Sequence, residues 1–338
     1  MDEVVQKAIR EVAAKAKKSV PWEFDKPYDQ PYYTWTGNEW KANDASSSTN
    51  QTASDISKLA LLSWNIDFML PYADSRMSKG ISHLKSFIDK DTEKTSTANV
   101  IYLQECVETD LELLASHPWI RETFVLTDVD ISYWQSGHYG TVSLIDRRLP
   151  ISSCFRVHYS QTRMERDGLF VDVNVRGKNI RLCNSHLESL ALEPPYRPPQ
   201  INLCAEYMRA AGVDGAVAAG DFNAIQDFDR TLHRENGLKD AYLELGGRED
   251  DKEGHTWGQQ AATALRNQFG TSRMDKVYFR GGLELLSFEK FGGDVCVDDR
   301  GEREDIVRLG FEQPWITDHL GIKAVFSIEQ SSKPTSSL

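Results

Sequence analysis

Short apolar runs of strand type recur through most of this chain, and many of them end in a polar signature. They are Leu59 to Trp64, Val100 to Leu103, Thr141 to Ile145, Leu169 to Val175, Ile180 to Asn184, Ala216 to Ala219, Val277 to Phe279 and Ile322 to Phe326. Apolar spacing near Met77 to Ile88, Asp110 to Leu114 and Ile201 to Ala211 predicts helices among them. This alternation predicts an α/β chain. Phe170 to Val175 and Ile180 to Cys183 flank a short turn in which Gly177 can take positive φ, which predicts a hairpin.

The rest of the chain is organised around that pattern. Val4, Val5, Ala8, Ile9, Val12, Ala13 and Ala16 fall at helical spacing, with Lys15, Lys17 and Lys18 suited to the C-terminal end of a helix. The stretch from Pro21 to Trp40 is aromatic and reads as an arm that packs on the main body, and Ala45 to Ser57 reads as a polar linker. Residues 1–56 are therefore expected to form a helix, arm and linker, 57–330 a catalytic domain, and 331–338 a tail.

Composition limits the function classes. No run reaches the roughly 20 apolar residues of a membrane helix, and Met1-Asp2-Glu3 lacks the basic start of a secretory signal, so an intracellular protein away from membranes is expected. Cys106, Cys154, Cys183, Cys204 and Cys296 never fall at CxxC spacing, which argues against zinc and a disulfide framework. A formal net charge of −12 argues against loose coating of nucleic acid, which depends on broad neutralisation of phosphates. A polyanionic substrate must instead be held locally, and a cation recruited by carboxylates would help.

The polar signatures are Ser63-Trp64-Asn65, Leu103-Gln104-Glu105, Asn184-Ser185-His186-Leu187-Glu188-Ser189, Gly220-Asp221-Phe222-Asn223, Arg273-Met274-Asp275 and Thr317-Asp318-His319. Ligand groups collect at strand ends in α/β folds. Each signature alone has a plain reading as a turn, cap or core group; together they make an inventory for Mg²⁺ and a phosphate. Glu105 is the first metal ligand expected, since Mg²⁺ is held by one or two carboxylates and keeps several waters; Asp221 is a further candidate, and Mn²⁺ is an alternative ion. Asp221 and Asn223, two apart, would point the same way in an extended segment and could take a proton from water and orient it. Asn65 and His319 suit developing charge on phosphoryl oxygens. Asp275 is the expected carboxylate partner of His319; Asp318 should face away from His319 if its stretch is extended and could assist the metal water or the leaving oxygen; and His186 supports the phosphate or the hydrogen-bond network.

This ordered set resembles the endonuclease/exonuclease/phosphatase superfamily over about Leu59 to Ile328. The resemblance implies a four-layered α/β sandwich of deoxyribonuclease type, with two mixed β-sheets packed face to face and flanking helices. Within it, the runs Trp64-Asn65-Ile66-Asp67, His186-Leu187-Glu188-Ser189, Thr256-Trp257, Arg273 to Arg280 and Asp318-His319-Leu320-Gly321 look most like the tyrosyl-DNA phosphodiesterase 2 branch. That branch implies hydrolysis of the 5′-phosphotyrosyl bond between DNA and a trapped topoisomerase peptide, with Asn65, Glu105, Asp221 and His319 as catalytic set. It also implies a role in DNA repair; nuclear residence, with the cytoplasm as the alternative, follows from that DNA substrate, and a monomer is expected. Tyr139, Trp257 and Arg273 are candidates for contact with the DNA end, although core packing explains them nearly as well. The competing readings are another phosphoesterase of the superfamily, acting on DNA, RNA or phosphoinositides, and an inactive binding scaffold. Departures from the branch include Thr317, Leu320, Phe222 and the prolines at 194, 195, 198 and 199.

Overall fold

The computed structural model describes residues 20–44 and 52–328. The helical pattern from Val4 to Lys18, part of the polar linker and the tail lie outside the described residues. The first strands are β1 (Pro27–Asp29), β2 (Tyr32–Trp35), β3 (Trp40–Asn43), β4 (Lys58–Asn65) and β5 (Thr97–Cys106). Then come β6 (Phe124–Leu126), β7 (Gly140–Asp146), β8 (Ile151–His158), β9 (Asp167–Val175) and β10 (Lys178–Ser185). The last are β11 (Gly215–Asp221), β12 (Lys239–Asp240), β13 (Asp275–Gly281), β14 (Leu283–Phe291) and β15 (Gly321–Ile328).

They form two mixed sheets, one ordered β1-β8-β9-β10-β11-β13-β12 and the other β14-β15-β4-β5-β7-β6-β2-β3. Side chains alternate across each strand, so β4 turns Leu59 and Leu61 to the core between the sheets and Leu62 and Trp64 to the outside. Val217 and Ala219 of β11 likewise join that central core, while Ala216 and Ala218 face outward. Both outer faces are apolar too and must be covered. The helix Ala73–Ile88 covers one with Met77, Ile81, Leu84 and Ile88. The helix Arg197–Met208 covers the other with Ile201, Cys204, Ala205 and Met208. The result is the four-layered sandwich expected from the resemblance, with the predicted β9–β10 hairpin in place. Among the described residues, no helix is long and apolar enough to cross a membrane.

The aromatic arm does pack on the body, and it does so as strands. β1 pairs with β8 at the edge of one sheet, and β2 pairs with β3 and β6 at the edge of the other. Between them Gln30 is buried, donates to the carbonyl of Thr127 at 2.9 Å and accepts from Arg156 Nε at 3.2 Å. The arm thus caps two open sheet edges.

Trp22 stacks on His158 with ring centroids 3.9 Å apart. His158 is fully buried and neither ring nitrogen has a partner. Burial pushes the imidazole down to about 4, with Asp167 opposing and Arg156 assisting. Because the folded value lies below the ordinary one of about 6.5, the unfolded chain binds a proton in that window that the folded chain does not. Stability is therefore present above about pH 6.5 and is lost as pH falls toward 4. Urea unfolding at pH 7 and pH 4.5 should show the native chain losing roughly 1–3 kcal/mol more than His158→Gln over that interval. Parallel losses in the two proteins would contradict the assignment.

Candidate functional site

Sheet topology brings the polar signatures to one end of the sandwich. β4 runs parallel to β5, and β10 to β11, so Asn65, Glu105, Ser185 and Asp221 all emerge at C-terminal strand ends. β13 and β15 run antiparallel to β11 and β4, so Asp275 and the residues before Gly321 begin at that same end. The backbone is specialised there. Gly220 has φ of 151°, and a Cβ on it would lie 1.9 Å from the carbonyl oxygen of Ser185, so only glycine lets β10 approach this closely just before Asp221. Glu105 has φ of 59° in an irregular stretch of the β5–β7 pairing, which turns its side chain inward.

Three groups converge on one atom, Oδ2 of Asp221. Asn65 Nδ2 donates to it at 3.0 Å, His186 Nε2 lies 3.4 Å away, and His319 Nε2 lies 3.6 Å away. The same Asn65 amide donates to Glu105 Oε1 at 3.1 Å, so one side chain joins two carboxylates. Glu105 Oε2 accepts from the backbone N–H of Phe68 at 3.0 Å. Burial opposes ionisation of Asp221, but His319 and His186 hold its carboxyl well below the ordinary carboxylate range.

His319 Nδ1 lies 2.9 Å from Asp275 Oδ2. Burial disfavours a charged ring, yet Asp275, Asp221 and Asp318 together hold the imidazole well above its ordinary value. Thr317 fixes the approach: its hydroxyl donates to the carbonyl of Asn65 at 2.8 Å and accepts the N–H of His319 at 3.2 Å. Asp318 does not face elsewhere. Residues 317–318 form a bend rather than a strand, so the alternation argument fails, and Asp318 Oδ1 lies 3.8 Å from His319 Nε2. Trp257 Nε1 donates to Asp318 Oδ2 at 2.6 Å, which brings Trp257 to the site as a holder of that carboxylate.

The remaining expected residues are distributed differently. Asn223 is not extended: its φ is 48°, its N–H donates to Asp221 Oδ1 at 2.8 Å, and its side-chain amide donates to the carbonyl of Leu187 at 3.0 Å. It steadies the Asp221 turn rather than pointing alongside it. Tyr139 stacks on Phe68 with centroids 4.4 Å apart and lies 6.4 Å from the His186 ring. Arg273, expected at a DNA end, is 4% exposed. It is paired with Asp240 at 2.9 Å and with Glu249, so its charge is consumed inside the protein.

Sequence reasoning missed Arg166, Arg76 and Asp67. Arg166 Nη1 lies 2.6 Å from His186 Nδ1, so it donates there and leaves Nε2 as the protonated nitrogen facing Asp221. Its guanidinium also sits 5.1 Å over the Tyr139 ring. Arg76 is buried in the helix over β4 and donates to the carbonyls of Ile66, Leu70, Pro71 and Ile316, tying the loops after β4 and before β15 together. Burial and the nearby carboxylates of Asp318 and Glu105 push Asp67 up to about 8, against the pull of Arg76. Asp67 closes the run Trp64-Asn65-Ile66-Asp67 without a role of its own there, and Arg166 and Arg76 act from a loop and a helix, where spacing carries no signal.

Glu105, His186 and Asp221 offer ligand atoms within 4.8 Å of one another, as do Asp221, Asp275 and His319. The first group suits a hard cation, because two carboxylates face one small space with an amide as their shared donor. The second does not, since its imidazole carries positive charge and its Nδ1 is committed to Asp275.

The raised His319 value means that the pair stabilises the fold fully below the ordinary histidine pKa, and that this contribution is lost only as pH rises through the folded value. In Asp275→Asn, free of divalent ions, NMR titration should show His319 losing its proton at lower pH than in the native chain. An unchanged midpoint would remove Asp275 as the source of the shift.

The model of the Endonuclease/Exonuclease/phosphatase family matches residues 62–319. The 5′-tyrosyl-DNA phosphodiesterase of Caenorhabditis elegans is 24% identical over 245 residues, covering 70% of this chain and 62% of that protein. Tyrosyl-DNA phosphodiesterase 2 of Homo sapiens is 26% identical over 250 residues, covering 69% of this chain and 64% of that one. The chain thus spans less than two thirds of the length of either relative. Truncated TDP2 of Caenorhabditis elegans superposes with a TM-score of 0.58 at 22% identity, over 80% of this chain and 97% of its own. TDP2 of D. rerio, complexed with a single-strand DNA product, gives 0.59 at 18%, over 80% and 99%. These solved structures carry the fold, and the matched stretch holds Asn65, Glu105, His186, Asp221, Asp275 and His319. This chain therefore belongs to the endonuclease/exonuclease/phosphatase family.

Proposed function

We propose that this chain is a Mg²⁺-dependent phosphodiesterase that hydrolyses the 5′-phosphotyrosyl bond between DNA and a trapped peptide, in DNA repair. The observation that carries the reading is the convergence of Asn65, His186 and His319 on Asp221 Oδ2, beside Glu105. The likeness to proteins named as tyrosyl-DNA phosphodiesterases supports the choice of substrate.

Glu105 would hold the ion, beside Asp221. Bound there, Mg²⁺ would neutralise charge building on the phosphoryl oxygens and orient the phosphate. Asp221 stays ionised across the working pH range, so it holds the attacking water by a hydrogen bond and takes its proton as the new P–O bond forms. The turn at Asn223 fixes that carboxylate through its Oδ1. The His319 imidazolium, held by Asp275, donates from Nε2 to a phosphoryl oxygen, and His186 donates from its own Nε2. Asn65 keeps Glu105 and Asp221 at a fixed separation. A tyrosine phenol has a pKa of about 10 and departs without a dedicated acid. A DNA substrate is consistent with nuclear residence.

The test is release of tyrosine from a 5′-phosphotyrosyl oligonucleotide. Asp221→Asn should lower kcat by about 10²- to 10⁴-fold, and EDTA should abolish release. Glu105→Gln should raise the Mg²⁺ requirement at least about 10-fold while leaving the fold intact. Unchanged metal dependence would remove Glu105 from its role. A folded protein that cleaves other phosphodiesters and releases no tyrosine would move the substrate and keep the site.

A further inference from the structure

One buried ion pair stands apart from the chemistry and yet controls two of the loops that frame it. Arg197 and Asp229 are 2% exposed each, with Arg197 Nε 2.9 Å from Asp229 Oδ1 and Nη2 2.8 Å from Oδ2. On one side, Arg197 Nη1 donates to the carbonyls of Glu188 and Leu190 at 3.1 and 2.8 Å, in the loop that follows His186. On the other, Asp229 Oδ2 accepts the N–H groups of Ile225 and Gln226 at 3.0 and 2.8 Å, in the loop that follows Asp221 and Asn223. Arg197 Nη2 also donates to the side chain of Gln226 at 2.9 Å. The backbones of Leu190 and Ile225 are therefore anchored to opposite ends of the same ion pair.

What the clamp presents is apolar. Leu190 is 58% exposed and Ile225 is 42% exposed, although each follows a site residue by four positions or fewer in chain order, His186 and Asn223 respectively. A single exposed leucine needs no explanation. Leu190, however, has φ of 69°, a conformation that a non-glycine side chain adopts at a cost and that Asn tolerates better. Holding an exposed leucine in that geometry, on a buried ion pair that also holds an exposed isoleucine, serves no purpose in the core. The surroundings explain its use: the chain carries net charge −12 and its site is ringed by Glu105, Asp221, Asp275 and Asp318, so charge alone does not draw a phosphodiester in.

We propose that Leu190 and Ile225 form an apolar lip that binds an aromatic group of the substrate flanking the scissile phosphate, with Arg197 and Asp229 as the residues that position it. This rests on the phosphodiesterase reading above, and it names the recognition that reading lacks. The aromatic group is either a nucleobase or the aryl leaving group, which share the same flat apolar face.

Binding of three non-hydrolysed probes separates these sources: thymidine 5′-phenylphosphonate, methyl phenylphosphonate and thymidine 5′-methylphosphonate, each titrated calorimetrically with Mg²⁺ present. Leu190→Asn and Ile225→Ser should each weaken thymidine 5′-phenylphosphonate by about 5- to 20-fold, the loss expected for an uncovered aromatic face. Leu190→Met and Ile225→Leu should keep the affinity. Leu190→Asn should also unfold no more readily than the native chain, since the residue relieves the backbone while removing the apolar face; a purely structural leucine would not combine those two results. A loss shared with methyl phenylphosphonate assigns the lip to the leaving group, and one shared with thymidine 5′-methylphosphonate assigns it to the base. Equal binding by the native chain and both polar variants, or no binding of any probe by the native chain, overturns the proposal. A native chain that binds the probes normally but hydrolyses no phosphodiester overturns the preceding function and leaves the lip standing.

Discussion

Asp221 and Asp275 stand directly opposite each other on adjacent antiparallel strands. Two buried carboxylates in that register repel and would be expelled or protonated without compensation. The ring of His319 supplies it, with Nδ1 at 2.9 Å from Asp275 and Nε2 at 3.6 Å from Asp221. The strand pairing that builds the sheet thus favours a charged ring at this corner, while burial and the neighbouring Asp221 still push the Asp275 carboxyl up. Asn65 performs the neutral version of the same task between Asp221 and Glu105. Much of the cost of gathering acids in one place is met by groups that a phosphate would also need.

That arrangement survives because its ligands grow from strand ends while their loops are tied from behind. Arg76 donates to carbonyls on either side of the site, and Trp64 Nε1 donates to the carbonyl of His319 at 3.1 Å. The side chains that face the site therefore inherit the rigidity of two sheets, and their separation does not depend on a mobile segment.

Much of this was legible in the sequence for a specific reason. Strand ends are short and regular, so Asn65, Glu105, Asp221 and Asp275 could be placed at one edge from apolar runs alone, and the His319–Asp275 partnership follows from the need to keep an imidazole charged. Legibility failed where the chain leaves regular geometry. The period-2 argument misplaced Asn223, whose backbone turns at positive φ, and Asp318, which sits in a bend. Arg273 reads as a phosphate ligand by residue type, but its neighbours Asp240 and Glu249 come from distant loops and bury it. The arm from Pro21 to Trp40 is aromatic without clear alternation, so its strands, which owe their existence to exposed sheet edges, could not be read locally. Arg166 follows no signature because its partner His186 lies across a hairpin.

Asn65, Glu105, Asp221 and Asp275 sit on strands, where a change of one residue alters register and is costly. Leu190 and Ile225 sit on loops, where side chains can vary if their backbone is held, and the buried Arg197–Asp229 pair does the holding. Such a pair contributes little net stability against an apolar alternative, so its presence is better understood through what it orients. On the proposed reading, the lip is displayed without collapsing into the core, and a strongly acidic protein engages its substrate through aromatic parts while the charge is handled at a single point.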